Sequence, residues 1–224
     1  MRQRCGTGDG QRLGCGQMVI NIGEGGWTGA TSAVFAEMRG YWEALRNGDS
    51  LPKRADLDPR GLKHCLHQTM IAEKIAPGLA RVRLAGAIYT DLMGMELRGM
   101  PLSALFDPMA RKTLETALEE VFAGKTALTL LLEAERGLGR PALTAQFMLL
   151  PMVGELGMVD LVLGGMILRG TAGRTPRRFQ ILNIRREPIG AVPAVTRPFT
   201  FAAPNAAYAE AAPLPNAPYL RVVK

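Results

Sequence analysis

Residues 81–100, RVRLAGAIYTDLMGMELRGM, are the stretch of this sequence that most constrains its fold. The first part alternates apolar and basic side chains, which is the pattern of a half-buried strand. The second part is short, helical in pattern and bounded by Gly94 and Gly99, two residues able to adopt the turn conformations that end helices. The chain is therefore predicted to leave a sheet and turn directly into short helices beside it.

The helices and strands of the N-terminal half follow from periodicity. Residues 31–48 predict a strong amphipathic helix, because apolar side chains recur at spacings of three and four. Asp58 as N-cap and Pro59 at the first helical position predict a second, short helix. Residues 69–75 and 79–86 predict the two strands of a hairpin.

The C-terminal half predicts a third helix at residues 108–124, followed by three strands at 126–135, 142–151 and 157–168. The short connections between these strands favour antiparallel hairpins. The whole order places five strands in one antiparallel sheet, with the helices grouped between the second and the third strand. This order predicts an α+β fold rather than a parallel α/β one.

Both ends of the chain differ in composition from the part between them. Residues 1–26 are dense in glycine and aperiodic, and residues 187–224 are rich in proline and alanine. Such segments bury too little apolar area to offset the entropy of ordering. We therefore expect a disordered N-terminal segment, a folded domain at residues 31–182 and a mostly disordered C-terminal tail.

The order of elements and two groups of residues resemble the PAS-domain superfamily. The short-helix pattern of that superfamily is matched by Ile88, Leu92, Gly94, Glu96, Leu97, Gly99, Leu102 and Leu105. The N-terminal signature resembles that of the stand-alone PAS proteins of alphaproteobacteria, at Tyr41, Trp42, Leu45, Arg46, Gly48, Pro52, Arg54, Asp56, Asp58 and Pro59. The resemblance covers roughly residues 38–168.

The resemblance implies a PAS-like five-stranded antiparallel sheet with short helices on one face and an N-terminal amphipathic helix that flanks it. The sheet and the short helices of this fold enclose a small apolar pocket, in which a small apolar ligand can bind. The candidate pocket residues are Tyr89, Leu92, Met93, Phe106, Leu118, Phe122, Phe147 and Met166. A core that its own side chains fill, without a ligand, is the alternative.

The amphipathic helix at residues 31–46 has two compatible interpretations. As a lid, it covers the exposed face of the sheet. As a dimerisation helix, it contacts a second copy of the chain, as the N-terminal flanking helices of PAS domains often do. The second interpretation predicts a homodimer. The candidate residues for its contact are Val34, Phe35, Met38, Tyr41, Trp42 and Leu45.

Candidate cofactor chemistry is sparse. His64 and His67, spaced i, i+3 on the short helix, are able to ligate haem or a metal from one side, but no second group of ligands accompanies them. PAS haem sites usually take a histidine from the helix that borders the cavity, and a photoactive flavin PAS needs a cysteine on the short helices. Residues 107–123 contain no histidine and residues 87–106 contain no cysteine. Neither cofactor is expected, no metal site is predicted, and Cys65 is interpreted as a buried small hydrophobe.

Sequence motifs and charge limit which other classes of function remain open. No hydrolase, metalloprotease, P-loop or dinucleotide motif occurs, so catalysis is not expected. The longest apolar run, residues 156–168, is too short and too charged to span a bilayer. The net charge of +7 equals that of residues 169–224, where nine basic residues face two acidic ones. The segment 169–186 predicts either a surface for DNA or an acidic partner, or one extra strand with a basic tail; the second is favoured because no DNA-binding motif is present.

These observations predict a single-domain PAS module for sensing and protein interaction in bacterial signalling. The lack of a signal-peptide pattern and the three cysteines without an even framework favour the cytoplasm. The module is expected to act through an unidentified signalling protein. The alternative is a DNA-associated regulator that uses residues 169–186.

Overall fold

The computed structural model describes residues 30–190 of the chain. The predicted disordered segment 1–26 and all but the first residues of the predicted tail 187–224 lie outside the described residues. The helices are α1 (Ala30–Ala44), α2 (Ala87–Met93) and α3 (Arg111–Phe122). The strands are β1 (Thr69–Ala76), β2 (Leu79–Ala85), β3 (Thr126–Ala134), β4 (Leu143–Val153), β5 (Val159–Gly170) and β6 (Phe179–Pro188).

Within the described residues, the strands form one antiparallel sheet in the order β2-β1-β5-β4-β3-β6. The N-terminal hairpin lies beside β5, because Met70 of β1 is opposite Gly164. On its other side, Gly164 is opposite Leu149 of β4. The helices α2 and α3 connect the hairpin to the remaining strands, which is the α+β arrangement that the order of elements predicts.

The sheet has one strand more than the five predicted. The additional strand is β6, which pairs with β3 from Ala134 opposite Phe179 to Thr126 opposite Pro188. It is an edge strand, and its arginines and terminal proline are features that discourage pairing with another chain. The interpretation of the basic segment as an extra strand is therefore confirmed, and this strand continues past residue 182.

The second predicted helix is not an α-helix. Its residues form two 3-10 turns, Pro59–Leu62 and Leu66–Gln68. Asp58 caps the first turn as predicted, since its side chain accepts a hydrogen bond from Arg60 N at 2.9 Å. Cys65 between the turns has φ −124° and ψ 8°, which is not helical. Packing of this segment against α1 and the sheet overrides its local helical signal.

The glycine-bounded stretch after β2 forms the predicted short helix and then returns to the sheet. α2 ends at Gly94, whose left-handed φ of 71° lets its N–H bond to Thr90 O at 2.7 Å. The chain then pairs with the outer edge of β2, where Gly99 N donates to Val82 O at 2.8 Å and Val82 N donates to Met100 O at 2.9 Å. The edge of β2 is thus partly covered by the chain that follows α2.

Two hydrophobic clusters lie on opposite faces of the sheet, because neighbouring residues of a strand point to opposite sides. Along β4, Phe147 and Leu149 belong to one cluster, whereas Met148 and Leu150 belong to the other. The inner cluster, on the side of α2 and α3, includes Met70, Val82, Tyr89, Leu92, Phe106, Leu118, Phe122, Phe147, Met166 and Phe179. The outer cluster, on the side of α1, consists of Met38, Trp42, Leu62, Cys65, Ile71, Ala127, Met148, Leu150, Met152, Leu161 and Leu163.

Candidate functional site

The structure brings all the candidate pocket residues together in the inner cluster. None of their side chains is more than 6% exposed, and they come from α2, α3, the central strands and the chain between α2 and α3. Within this group, the rings of Phe106 and Phe147 contact each other, tilted at 44° with centroids 6.4 Å apart. The candidate pocket residues, all of them members of the inner cluster, are Tyr89, Leu92, Met93, Phe106, Leu118, Phe122, Phe147 and Met166.

One polar group lies at the border of this apolar core. The Tyr89 hydroxyl is buried and donates a hydrogen bond to Gln68 O at 3.0 Å. Burial raises the pKa of Tyr89 well above its ordinary value, so the phenol is neutral at physiological pH. The side-chain carbonyl oxygen of Gln68 is also buried and has no hydrogen-bond partner. Tyr89 thus ties α2 to the start of β1, and the side-chain oxygen of Gln68 beside this junction is a buried acceptor without a donor.

Helix α1 packs on the opposite face of the sheet as a lid. Met38 and Trp42 are fully buried there, and Trp42 Nε1 donates a hydrogen bond to Pro151 O of β4 at 2.9 Å. The remaining candidate residues for a dimer contact are half-buried, namely Val34, Phe35, Tyr41 and Leu45. The predicted lid packing is present in the single chain, and the dimer contact stays a prediction.

Two glycines allow α1 to lie close to its neighbours. A Cβ atom at Gly165 of β5 would lie 2.5 Å from Met38 Sδ, and one at Gly61 would overlap the Tyr41 ring. The Tyr41 hydroxyl then bonds to the backbone of Asp58, donating to its carbonyl at 2.9 Å and accepting from its N–H at 2.7 Å. Residues 58–61 and the middle of β5 form the surface on which α1 packs. A side chain at either glycine would push the helix away from this surface.

Charged contacts connect α1 to the end of β6. The guanidinium groups of Arg39 and Arg46 lie 5.1 Å and 5.4 Å from the Trp42 ring centroid, within the range of cation–π attraction. Arg39 also forms an ion pair with Glu187 at 3.6 Å, and Arg46 donates to Gly190 O at 3.1 Å. The first helix and the last strand of the described chain are therefore held to each other around Trp42.

Arginines of the basic segment 169–186 form contacts that stabilise the domain. Arg177 is fully buried, and its guanidinium donates to the backbone carbonyls of Ala172, Glu135 and Pro141, the last two at 2.9 Å each. Desolvation, and then the charge of Arg140, lower the pKa of Arg177. A cation in this position joins the turn between β3 and β4 to the chain that leads into β6.

Other arginines of this segment are also engaged within the chain. Arg186 holds Glu120 of α3 with two hydrogen bonds of 2.7 Å and 3.0 Å, which lower the pKa of that carboxyl. Arg185 pairs with Glu187 at 3.2 Å, and Arg169 has a partner as well. The positive charge of this segment is thus partly neutralised by the domain itself.

The candidate ligands for a cofactor are not grouped. His64 and His67 are both exposed, and Cys65 between them is buried with its Sγ 3.4 Å from Leu62 O. Burial, followed by the charge of Glu37, raises the pKa of the Cys65 thiol. Residues 30–190 contain no group of histidine, cysteine or acidic side chains that is able to hold a metal ion. No helix in the described part of the chain is long and apolar enough to cross a membrane.

Several solved structures match about half of this chain. An RNA-binding Light-Oxygen-Voltage receptor is 22% identical over 50% of this chain and 33% of its own length, with a TM-score of 0.36. The light-state structure of the blue-light photoreceptor Aureochrome1 LOV is 14% identical over 50% of this chain and 88% of that one, also with a TM-score of 0.36. Its dark structure is 15% identical over 49% and 80%, with a TM-score of 0.37. This chain spans about a third of the length of the first of these proteins. No curated protein matches it.

The family is shown by a different comparison. The model of a PAS domain matches residues 30–167, which is more than half of the 224 residues. The matched range begins with α1 and ends in β5, so it contains the buried residues of the outer cluster and those of the inner cluster except Phe179. The chain therefore belongs to the PAS domain family of sensory and interaction modules.

Proposed function

We propose that this PAS domain senses a small apolar ligand or a partner contact and passes the signal through α1 to another protein chain. The observation that carries the proposal is the position of α1, which closes the outer face of the same strands that line the inner cluster. The setting is the cytoplasm of a bacterium, the module works as a homodimer, and it has no catalytic activity of its own.

The sheet provides the mechanical connection between the two faces. Gly164 and Gly165 are neighbours in β5, and each is closely approached from one side: Met70 of the inner cluster lies over the first and Met38 of α1 over the second. A change in the packing of the inner cluster therefore moves the surface on which α1 lies. A ligand shifts α1 only to the extent that it binds the docked and the displaced arrangement with different affinities.

The half-buried side of α1 supports the homodimer. Val34, Phe35, Tyr41 and Leu45 keep part of their surface accessible along the helix, next to Met38 and Trp42. A second copy of the chain is able to cover this surface, and a displaced α1 would add its buried residues to the contact.

A DNA-associated regulator receives less support from the contacts of the basic segment. Arg177 is buried, and Arg185 and Arg186 are paired with carboxylates. A phosphate backbone would have to compete with these partners, whereas non-specific DNA binding depends on free cationic side chains. Binding to random duplex DNA that weakens steeply with salt would favour this alternative over our proposal.

Native mass spectrometry of the freshly purified chain tests the proposal, because it reports a co-purifying ligand and the oligomeric state together. We expect a dimer that carries a small apolar molecule. The position of α1 is then followed through Trp42, the only tryptophan left in a Trp27→Phe variant. Removal of the co-purifying molecule should shift the Trp42 emission to the red, since the ring leaves its buried place beside Pro151.

A matched variant calibrates this signal. Gly165→Leu in the Trp27→Phe background places a side chain where Met38 lies, so it gives the emission of a displaced α1. Gly40→Ala, on α1 with open space around its Cβ position, should leave the emission unchanged. A monomer without ligand, or emission that does not respond to ligand removal, would contradict the proposed mechanism.

A further inference from the structure

An open groove of about 530 Å³ lies beside the C-terminal end of β2, away from the candidate pocket residues. One wall is the 3-10 turn Arg54–Asp56, and the other is the chain after α2. The second wall is fixed in place, because Gly99 N donates to Val82 O and Val82 N donates to Met100 O. These bonds occupy the edge of β2 at this point, so a bound molecule would meet side chains rather than add a strand.

The floor of the groove is aliphatic. Leu84 and Ala85 provide its accessible apolar surface, whereas Ile71 and Val82, which also line it, are buried members of the outer and the inner cluster. Leu84 of the edge strand β2 is 46% exposed. A bound hydrocarbon chain would remove this surface from water, which is a favourable change.

The rim of the groove is positively charged. Arg54, Arg83, Arg98 and Glu96 line it, but Arg83 is already paired with Glu73. Arg54 and Arg98 form no ion pair or side-chain hydrogen bond with any residue in the range 30–190. With Glu96 counted against them, these two guanidinium groups leave one uncompensated positive charge at the rim.

We propose that this groove binds a small monoanion with a hydrocarbon chain, namely an aliphatic monocarboxylate. The planar guanidinium groups of Arg54 and Arg98 match a carboxylate in geometry and charge, and the aliphatic floor accepts the chain. A polyanion or an acidic peptide fits less well, because its further charges would meet Glu96 and Glu73. None of the candidate pocket residues lines this groove, and the site does not depend on the proposed role of α1.

Octanoate titrated into the isotopically labelled full chain, observed by nuclear magnetic resonance, tests this site. We expect saturable shift changes at Leu84, Arg98 and Gly99, with no comparable changes at Phe147 or Leu118. Shortening the probe to hexanoate and butanoate should weaken binding roughly fourfold for each methylene group that the groove no longer buries. Acetate, which lacks the chain, and octan-1-ol, which lacks the charge, should both bind at least roughly tenfold more weakly than octanoate.

Variants at the rim separate this site from other binding. The double variant Arg54→Ala/Arg98→Ala should lose at least roughly tenfold in octanoate affinity, since both cationic partners are gone. The control Arg60→Ala/Arg111→Ala removes two exposed arginines outside the groove and should bind like the unmodified chain. Glu96→Gln should bind octanoate more tightly, because it removes the like charge.

Three results would overturn the inference. The first is the absence of saturable octanoate binding in the full chain. The second is binding that shifts Phe147 and Leu118 and is unaffected by the Arg54→Ala/Arg98→Ala change, which would place the ligand in the inner cluster instead. The third is equal affinity for octan-1-ol, which would show that the arginines do not recognise the charge. The first and the third outcome leave the Trp42 emission unaffected, so this inference is able to fail while the proposed function stands.

Discussion

The two hydrophobic clusters share the same strands but are built in different ways. The inner cluster draws side chains from β1 through β6 and from both α2 and α3. The outer cluster has the sheet on one side and, on the other, α1 with Leu62 and Cys65 of the connecting segment. Phe147 and Trp42 are both fully buried. Phe147 belongs to the cluster that draws on all six strands, whereas Trp42 belongs to a single helix that covers one face of the sheet.

Equal burial therefore does not mean an equal share in stability. Loss of contacts in the inner cluster affects elements that cannot separate without unfolding the sheet. Loss of contacts in the outer cluster affects a helix at the end of the domain, which is able to open as a local unit. This difference is what makes α1 suitable as a moving element and the inner cluster suitable as the fixed scaffold or binding core.

Phe147→Ala should have the largest effect, because it leaves a cavity next to Phe106 in the inner cluster. We expect the free energy of unfolding to fall by about 3–5 kcal/mol, with α1 and the sheet lost in one transition. Urea denaturation followed by circular dichroism measures this change. A loss below about 1 kcal/mol would mean that the inner cluster is not the common core of the domain.

Arg177→Met should follow, since it leaves the buried carbonyls of Ala172, Glu135 and Pro141 without their donor. The expected loss in the free energy of unfolding is about 3 kcal/mol. The penalty for leaving buried carbonyls unpaired is larger than the net stabilisation that their hydrogen bonds provided. The neighbouring Arg178 is exposed, and Arg178→Met should change stability by less than about 0.5 kcal/mol. Equal effects of the two substitutions in thermal denaturation would show that Arg177 does not join the turn between β3 and β4 to the chain that leads into β6.

Trp42→Ala tests the outer cluster directly. It removes the ring, the hydrogen bond to Pro151 and the stacking partner of Arg39 and Arg46. We expect a loss of about 2–3 kcal/mol, smaller than for Phe147 because α1 is able to detach locally. Hydrogen exchange should become fast in α1 while β4 stays protected.

The exposed Ala36 on the same helix provides the control, and Ala36→Ser should leave exchange in α1 nearly unchanged. If Trp42→Ala alters neither the stability, nor the exchange of α1, nor dimerisation, then α1 is not the element that covers the sheet and transmits a signal.

Glu120→Gln should have the smallest effect. The hydrogen bonds from Arg186 lower the pKa of Glu120 in the folded chain below its ordinary value of 4.5, so the pair stabilises the fold above that pH. As the pH falls through the lowered pKa, this contribution is lost. Both side chains are about a third exposed or more, so we expect a difference of about 0.5 kcal/mol at neutral pH. Glu119→Gln, at an exposed position of α3, is the control.

The Glu120 measurement is made by thermal denaturation at several pH values. The difference between the unmodified chain and Glu120→Gln should shrink in acid, whereas Glu119→Gln should follow the unmodified chain throughout. A difference that grows as the pH falls would mean that the carboxylate of Glu120 is not stabilised by Arg186.

Much of the fold around the candidate site was predictable because its signals are local. The alternation in residues 81–85 and the glycine at 94 predict β2 and the end of α2, and the periodicity of residues 31–48 predicts α1. The candidate pocket residues followed from the resemblance to PAS domains, in which the sheet and the short helices enclose a pocket. Nothing in the neighbourhood of Arg177 indicated its burial, because its three carbonyl partners lie 5, 36 and 42 residues away along the chain.

The sequence by itself determined the types and the order of most elements, and with them the α+β class, since helical and strand periodicities depend on neighbouring residues. Only the tertiary structure decided that β6 pairs with β3, that residues 58–68 form 3-10 turns under α1, and that Gly164 and Gly165 serve opposite faces. It also placed Arg54 and Arg98 on one groove. The physical reason is that these features depend on contacts between distant segments, whose free energy is settled only when the whole sheet assembles.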